Sequence, residues 1–270
     1  MSYHLLKGKK GIIFGALDEN SIAWITALRC HEEGAEIVLT NAPVAMRMGE
    51  INKLAEKINA PVIPCDVSSN DDVTNLVDKT MEHFGGSFDF ILHSIGMSVN
   101  MRKGKSYTEI DYGFNAKTLD ISAISLHRVL ATCMQKDALK EWSSVVALTY
   151  IAAQRVFPDY NEMADAKALL ESVARSFGYH YGIKKHVRIN TISQSPTRTT
   201  AGSGVKGFDG FMNYAEFMSP LGNASAADCA NYIVSLFSDL TKMVTMQNLF
   251  HDGGFSFTGV SHAVIDQMEK

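Results

Sequence analysis

Short apolar runs alternate with longer helical patterns along this chain, and no other feature constrains its fold as strongly. Runs of five to seven residues without polar alternation are typical of strands that are covered on both faces. The seven runs are Gly11–Gly15, Glu36–Thr40, Pro61–Cys65, Phe88–His93, Ser144–Thr149, Val187–Ile192 and Val244–Phe250. Helical stretches connect them, as at residues 21–33, 45–58 and 70–84, and helical crossovers make the strands parallel. The sequence therefore predicts an α/β fold with a doubly wound, seven-stranded parallel sheet.

Composition and charge exclude several classes of protein. The 270 residues are 46 % hydrophobic and 20 % charged, an ordinary balance for one globular domain over residues 1–270. The net charge is −4 without a basic block, so we expect no nucleic-acid partner. No apolar run approaches the roughly 20 residues of a membrane span, and none lies at the N-terminus, so we expect no membrane and a cytoplasmic location.

The cysteines and histidines do not predict a metal site. Cys30, Cys65, Cys133 and Cys229 are scattered, and no pair has the spacing of metal ligands. The nine histidines form no HxxxH pattern. Lone thiols in such a domain are typical of buried small hydrophobic residues in a reducing cytoplasm.

One long stretch, about residues 196–220, has no clear secondary-structure pattern. It combines four glycines with large apolar residues such as Val205, Phe208 and Phe211. A long loop inside a compact domain is usually functional, and apolar residues favour a lid over a plain surface excursion. We expect this stretch to cover a site.

The turn after the first strand carries Gly15 and then Ser21. In a doubly wound, Rossmann-like fold, a glycine here lets the backbone approach the pyrophosphate of a dinucleotide at a helix N-terminus. Ser21 suits both capping the helix and binding a phosphate. The turn is not GxGxxG, so an ordinary capped strand–helix turn is an equally good interpretation.

Two further strand ends are candidates for a nucleotide site. Asp66 follows the third strand at the carboxyl edge of the sheet, where it would bind an adenine amino group or cap the next helix. His93–Gly96 ends the fourth strand with a small residue that permits backbone contact with a ribose. For His93 itself we favour a buried ring that is satisfied by the backbone.

Two tyrosines and a lysine share the segment 150–167. Asp159 and Glu162 have the spacing of a capping box, which predicts a helix that starts near Tyr160. Lys167 then lies about two turns further on and on the same face as Tyr160. A phenol donates a hydrogen bond to an oxygen that becomes negative, and a nearby ammonium favours that donation. Tyr150, Tyr160 and Lys167 are therefore the candidate catalytic residues.

The spacing of these residues resembles one branch of the short-chain dehydrogenase/reductase superfamily. Most members carry Tyr-x-x-x-Lys with a serine thirteen residues before the tyrosine. Here Met163 lies four residues before Lys167, and Tyr150 stands where that serine would fall. Tyr-x9-Tyr-x6-Lys is similar instead to the divergent branch, the bacterial enoyl-acyl-carrier-protein reductases.

Other segments resemble the same family in the same order. They are the Gly-x5-Ser-Ile-Ala turn from Gly15 to Ala23, the dipeptide Asp66–Val67, the segment His93–Gly96, the stretch from Pro196 to Val205 and the segment His251–Ser256. The sequence departs from the family pattern at three places. Gln194–Ser195 replaces the usual Ala-Gly, and Met97–Ser98 replaces an aromatic-Ala pair. After the second strand, Asn41–Ala42–Pro43 offers neither an acidic residue for a ribose 2′-hydroxyl nor an Arg/Lys pair for a 2′-phosphate. Because no cationic pair is present for a 2′-phosphate, we favour NADH, with NADPH as the other option through Arg47.

The resemblance implies reduction of the trans-2 double bond of an enoyl thioester on acyl carrier protein, in type II fatty-acid synthesis. It implies that Tyr160 hydrogen-bonds the enolate oxygen, that Lys167 holds the ribose of the cofactor, and that Tyr150 helps to orient or protonate. The cofactor-binding residues that it implies are Gly15, Ser21, Ile22, Ala42, Asp66, Val67, Ile95, Lys167, Thr197, Arg198, Thr199, Thr200 and Ala201. Ser98, Tyr150 and Tyr160 would contact substrate, the loop at 196–220 would cover the acyl chain, and the assembly would be a homotetramer.

Two other functions remain open at this point. One is reduction of another enoyl or carbonyl substrate with the same cofactor site. The other is a dinucleotide-binding protein without catalysis, which would be expected to lack Tyr160 or Lys167.

Overall fold

A computed structural model describes residues 2–200 and 207–269. One parallel sheet of six strands, in the order β2-β1-β3-β4-β5-β6, runs through the described part of the chain. The strands are β1 (Lys10–Phe14), β2 (Glu36–Thr40), β3 (Phe88–His93), β4 (Leu139–Thr149), β5 (Arg188–Gln194) and β6 (Asn248–His251). The order reverses between β1 and β3, and ligands of such sheets bind at this kind of switch point, beyond the carboxyl ends of the strands.

Helices cover both faces of the sheet. They are α1 (Ile22–Glu32), α2 (Pro43–Met48), α3 (Ile51–Ile58), α4 (Asn70–Phe84), α5 (Val99–Arg102), α6 (Tyr112–Leu119), α7 (Ser125–Gln135), α8 (Glu162–Lys185), α9 (Phe208–Met218), α10 (Ala226–Phe237) and α11 (His262–Met268). A π-helical segment, Asp120–Ile124, joins α6 to α7. The stretch 45–58, predicted as one helix, is interrupted at Gly49, which has an extended ψ and ends α2.

Two apolar cores lie on opposite faces of the sheet because successive strand residues point to opposite sides. On β4, Val145 packs with α4, α7 and α8, whereas Val146 packs with α1, α3 and α10. The buried runs therefore support a doubly wound arrangement, as predicted.

The prediction of seven strands was wrong. The segment 61–65, predicted as a strand, forms only one isolated bridge, between Val62 and Leu39 of β2. Its backbone still pairs with β2, since Leu39 N donates to Pro61 O at 3.0 Å and Ile63 N donates to Leu39 O at 2.9 Å. Pro61 and Pro64 have no N–H to donate, so a regular ladder cannot extend along this edge.

Within the described residues, no helix combines the length and the apolar character that crossing a membrane requires. The four cysteines are buried free thiols. Burial raises the pKa of Cys65, Cys133 and Cys229 to about 12, so these thiols stay protonated and serve as small core residues.

Candidate active site

A cavity of about 250 Å³ lies at the carboxyl edge of the sheet, where β3, β4 and β5 end. Its walls come from the loop after β3, from α5, from the Tyr150–Tyr160 segment, from α8 and from the start of α9. Parallel strands end at one edge, so residues far apart in the sequence meet here. The cavity brings together all three candidate catalytic residues, Tyr150, Tyr160 and Lys167.

Lys167 reaches the cavity from the second turn of α8. Its side chain is buried, and its Nζ donates to Leu148 O at 2.8 Å and to Ile95 O at 3.4 Å. These carbonyls belong to the end of β4 and to the loop after β3. Burial lowers the pKa of Lys167 to about 8, while the nearby Glu171 carboxylate opposes that shift. The ammonium is therefore fixed in place and remains charged at neutral pH.

Tyr150 and Tyr160 lie against each other, with ring centroids 5.2 Å apart and ring planes at 53°. Among the described residues, neither hydroxyl makes a hydrogen bond to another protein group. Burial raises the pKa of both phenols. Both hydroxyls therefore stay protonated, and both are available as hydrogen-bond donors in the cavity.

The helix does not start as predicted. Pro158–Tyr160 forms a 3-10 turn, and α8 begins only at Glu162. Asn161 lies between them with φ 44° and ψ −141°, which breaks the helical path, and its side chain makes no cap. The expected capping box is absent because the Glu162 carboxylate points inward instead. Tyr160 and Lys167 thus face the same cavity through a turn rather than through helical spacing.

Gly15 meets a strict geometric need in the first turn. Its φ is +91°, and a Cβ there would lie 1.9 Å from Ser94 O in the loop after β3. Only glycine permits this approach. Ser21 caps α1, accepting from Trp24 N, and its own hydroxyl donates to Asp18 O at 2.7 Å. The capping expected of Ser21 is confirmed.

Some of the predicted cofactor residues line this cavity and others lie elsewhere on the same edge of the sheet. Those that line it are Ile22, Ile95, Lys167, Thr197 and Thr199. Gly15, Ser21, Ala42, Asp66, Val67, Arg198 and Thr200 do not line it, and Ala201 lies outside the described residues.

Each outlying residue has a defined position. Ala42 is the N-cap residue of α2, and Val67 is a core residue. Asp66 accepts from Ser68 N and Oγ, which lowers its pKa, and Ser69 rather than Asp66 caps α4. The capping alternative for Asp66 was therefore wrong.

The segment after β5 spreads its polar side chains in several directions. Thr197 and Thr199 line the cavity. Arg198 instead forms an exposed ion pair with Asp209, 2.7 Å from Nη1 to Oδ1. Thr200 donates to Asp18 in the first βα turn at 2.5 Å. Any contact of Arg198 or Thr200 with a ligand would thus have to compete with an existing protein partner.

The stretch predicted as a loop contains an α-helix over its second half. Phe208 and Phe211 of α9 line the cavity, and the Phe211 ring lies 5.9 Å from the Phe157 ring. Met218 of the same helix packs with Ile151 in a small separate apolar cluster. The cavity thus has one strongly apolar wall.

The three departures from the family pattern have structural partners. Gln194 Oε1 lies 2.7 Å from His251 Nδ1, and its Nε2 donates to Ala224 O at 3.2 Å, so Gln194 ties β5 to β6. Asn41 Nδ2 donates to Ala16 O at 3.0 Å in the first turn. Ser98 lines the cavity, but its hydroxyl donates to Glu162 Oε1 at 2.5 Å. Its predicted substrate contact stays a prediction.

Some residues at the site were given other roles or none by sequence reasoning. Met163, named above only for its place four residues before Lys167, lines the cavity, as does Met101 of α5. His93 is buried as expected, and its Nε2 lies 2.8 Å from Ser125 Oγ, but its buried Nδ1 has no hydrogen-bond partner among the described residues. Burial lowers the pKa of His93 to about 3, with a contribution from Lys167, so the ring is neutral. Apolar periodicity alone offered no signal for these roles.

Comparison with known proteins identifies the family of this chain. A family model described as enoyl-(acyl carrier protein) reductase matches residues 15–256. The chain belongs to this family. The resemblance that was based on Tyr150, Tyr160 and Lys167 is thereby confirmed.

Relatives and solved structures agree over nearly the whole length of this reductase. The enoyl-[acyl-carrier-protein] reductase [NADH] FabI of Rickettsia bellii is 33 % identical over 267 residues, covering 98 % of this chain and 100 % of the relative. The corresponding Aquifex aeolicus enzyme is 34 % identical over 261 residues, covering 95 % and 94 %. The crystal structure of a FabI–NADH complex from Alistipes finegoldii is 66 % identical, with a TM-score of 0.96, and covers 97 % of this chain and 92 % of that one.

Proposed function

We propose that this cavity is where the chain reduces the trans-2 double bond of an enoyl thioester. One observation carries the proposal: a fixed ammonium and two protonated phenols without protein partners converge in one apolar cavity at the switch point of the sheet. Membership of the family makes the chain an oxidoreductase that acts on a CH–CH group with NADH, in fatty-acid synthesis.

The residues at the sheet edge fit a dinucleotide. Gly15 allows the backbone of the first turn to approach the loop after β3, and Ser21 caps α1, whose N-terminus favours a phosphate. Lys167, Ile95 and Thr197 lie in the cavity where the reactive end of the cofactor would be held. Asp66, with a lowered pKa, is a carboxylate suited to an adenine amino group. When bound, NADH supplies the hydride.

Tyr160 is the donor to the oxygen that becomes negative. Addition of hydride to C3 of the enoyl group moves negative charge to the thioester oxygen, as an enolate. A protonated phenol in a cavity with little water stabilises that charge strongly. Tyr150, 5.2 Å from Tyr160 between ring centroids, orients the thioester or the Tyr160 ring.

Lys167 keeps this region positive and binds ribose hydroxyls. Its two carbonyl partners leave one N–H of the ammonium for a ligand. Because Lys167 is held by backbone atoms, it adds positive charge with little reorganisation during the reaction.

The described residues of the segment 196–220, at 196–200 and 207–220, cover the acyl chain in this single-domain enzyme. Phe208 and Phe211 give the cavity its apolar wall, and Tyr214 packs against Phe255, with ring centroids 5.9 Å apart. Apolar side chains over the reacting atoms exclude water, which would otherwise weaken the interactions of Tyr160 and Lys167 with the enolate.

The substrate is presented by acyl carrier protein. Arg102 lines the mouth of the cavity, and Lys103 and Lys105 follow it in an exposed turn. Three cations at one edge suit an acidic carrier and the phosphate of its acyl-bearing arm. Replacing all three by alanine should raise KM for a carrier-bound substrate more than for an uncharged crotonyl thioester of N-acetylcysteamine.

A homotetramer is the assembly that the family resemblance implies. Exposed apolar side chains on α8, such as Tyr179 and Ile183, are 56 % and 69 % accessible and offer a surface for such contacts. Sedimentation of the purified chain would give the mass of the assembly.

The proposed function is tested by following the oxidation of NADH by absorbance in the presence of a crotonyl thioester. The assay is then repeated with NADPH as the cofactor and with simple ketones as substrates. We expect turnover with NADH and the thioester. Absence of NADH oxidation with every enoyl thioester would contradict the proposed function. Faster turnover of ketones would favour a carbonyl reductase.

A further inference from the structure

The residue after Tyr160 has an unusual backbone conformation. Asn161 has φ 44° and ψ −141°, a backbone conformation that residues other than glycine rarely adopt. The residue is only 5 % exposed. Such strain persists where surrounding contacts determine the conformation, and it clusters at functional sites. The contacts that hold Asn161 are therefore candidates for contacts that place Tyr160.

Two hydrogen bonds tie this turn to the opposite wall of the cavity. Asn161 Nδ2 donates to Lys105 O at 2.5 Å. The Glu162 carboxylate is fully buried, and its Oε1 accepts from Ser98 Oγ at 2.5 Å and from Thr118 Oγ1 at 3.1 Å. Asn161 and Glu162, which share one peptide bond, are thus both held by side-chain hydrogen bonds.

The opposite wall is itself well anchored. Ser98 Oγ also accepts from Met101 N at 3.0 Å, at the start of α5. Asn100 exchanges two hydrogen bonds with the backbone of Asp111, at 2.9 and 3.1 Å. The segment 97–105 is therefore a firm support for the Tyr160 turn.

The buried position of Glu162 is energetically unfavourable. Its Oε2 is buried and has no partner, and its Oε1 has only hydroxyl donors. A buried carboxylate without a cation costs stability. The two hydroxyl donors and the position of Glu162 in the first turn of α8 offset part of that cost.

We propose that Asn161, Glu162 and Ser98 are positioning residues, which hold the Tyr160 hydroxyl in the cavity by tying its turn to the segment 97–105. The inference rests on the proposed role of Tyr160. It also accounts for Ser98 in place of the usual alanine, since Ser98 supplies the hydroxyl that Glu162 needs.

The first test is Ser98→Ala, made in the wild-type chain and in a Tyr160→Phe chain, with NADH and crotonyl coenzyme A as substrates. In the wild-type chain we expect kcat to fall on the order of tenfold, because a small displacement of a reacting group is costly, with KM for NADH within about twofold. In the Tyr160→Phe chain the same substitution should change kcat less than about twofold, because coupled residues are not additive. Ser106→Ala is the matched control, since the Ser106 hydroxyl bonds only within its own exposed turn.

Asn161→Gly is the second test. Glycine adopts this backbone conformation without strain, so the thermal midpoint should hold or rise, while kcat falls because the link to Lys105 is lost. Ser98→Thr, which keeps a hydroxyl, should recover most of the activity that Ser98→Ala loses.

Three results would overturn the inference: an unchanged kcat in Ser98→Ala, an equal loss of kcat in both backgrounds, or wild-type kcat in Asn161→Gly. A Tyr160→Phe enzyme with wild-type kcat would contradict the proposed role of Tyr160 itself, and the inference with it. The two failures are thus distinguishable.

Discussion

The cavity wall that carries Lys167 and the wall that carries Phe211 are held by different kinds of contact. Lys167 lies in a helix packed on the sheet, and its ammonium donates to a backbone carbonyl of β4. Phe211 lies in α9, which packs through Ala215 and Met218 in a small apolar cluster apart from the two main cores. Directional hydrogen bonds on rigid elements fix an atom, whereas apolar contacts mainly exclude water. The chemistry should therefore depend on the first wall and the choice of acyl chain on the second.

The largest effect should come from Lys167→Met, which keeps the length of the side chain and removes the charge. We expect kcat/KM to fall by about 10² to 10³, the range seen when one stabilising group is lost from a polar site. Stability should change little, because a buried charge is removed with its cost. The control is Lys185→Met, since Lys185 Nζ also donates to a carbonyl of β4, Leu139 O at 2.8 Å, but at the other end of the strand. Equal losses in both variants would contradict the assignment.

Tyr160→Phe should lower kcat on the order of 100-fold, because the enolate oxygen loses its donor. Tyr150→Phe should lower kcat less, since Tyr150 acts on orientation. Steady-state rates with saturating NADH separate the two variants, and thermal melts confirm that both fold. A larger loss in Tyr150→Phe would exchange the roles of the two phenols.

The pH dependence of catalysis and of stability should also reflect the wall that carries Lys167. Lys167 has a pKa of about 8 in the folded, ligand-free chain, so its charge and kcat/KM for NADH should decline as pH rises above about 8, approaching tenfold per unit. The free energy of unfolding should instead increase with pH. The unfolded chain binds more protons between about 8 and the ordinary 10.5, so unfolding should cost more as pH rises through that window. The residual activity of Lys167→Arg should lack this alkaline decline, because arginine stays charged.

The smallest effect should come from Phe211→Ala on the second wall. Phe157 and Phe211 line both this cavity and a neighbouring one of about 570 Å³, so removing one ring should join the two. We expect KM for a crotonyl thioester to rise about fivefold, consistent with loss of an aromatic pair, with kcat held within about twofold. Relative kcat/KM for a dodecenoyl thioester should increase. Phe217→Ala, on the same helix but outside the cavity lining, should leave this ratio unchanged.

The sequence was most reliable where a pattern has one physical cause. Buried runs on β1, β4 and β5 predicted strands because both faces are covered, and Gly15 marked a turn where a side chain cannot fit. The segment 61–65 has the same kind of apolar run, but Pro61 and Pro64 lack the N–H groups of a ladder. An apolar run thus predicts burial better than it predicts pairing.

Side-chain partners were harder to predict because they depend on contacts between distant residues. Asp159 and Glu162 had the spacing of a capping box, yet Glu162 bonds to Ser98, 64 residues away. Arg198 forms an exposed ion pair with Asp209 that its place in the sequence did not indicate, and its contact with the cofactor stays a prediction. Local spacing gives no information on which of two competing partners is nearer in the fold.

By itself, the sequence determined the parallel α/β sheet and the family, through periodicity and through the spacing of Tyr150, Tyr160 and Lys167. Only the tertiary structure decided how these residues meet. Tyr160 lies outside the helix, on a strained turn at Asn161, and Lys167 is fixed by carbonyls from the end of β4 and from the loop after β3. The physical reason is that periodicity reports which side of an element is buried, whereas the position of a hydroxyl or an ammonium depends on hydrogen bonds between elements that only folding brings together.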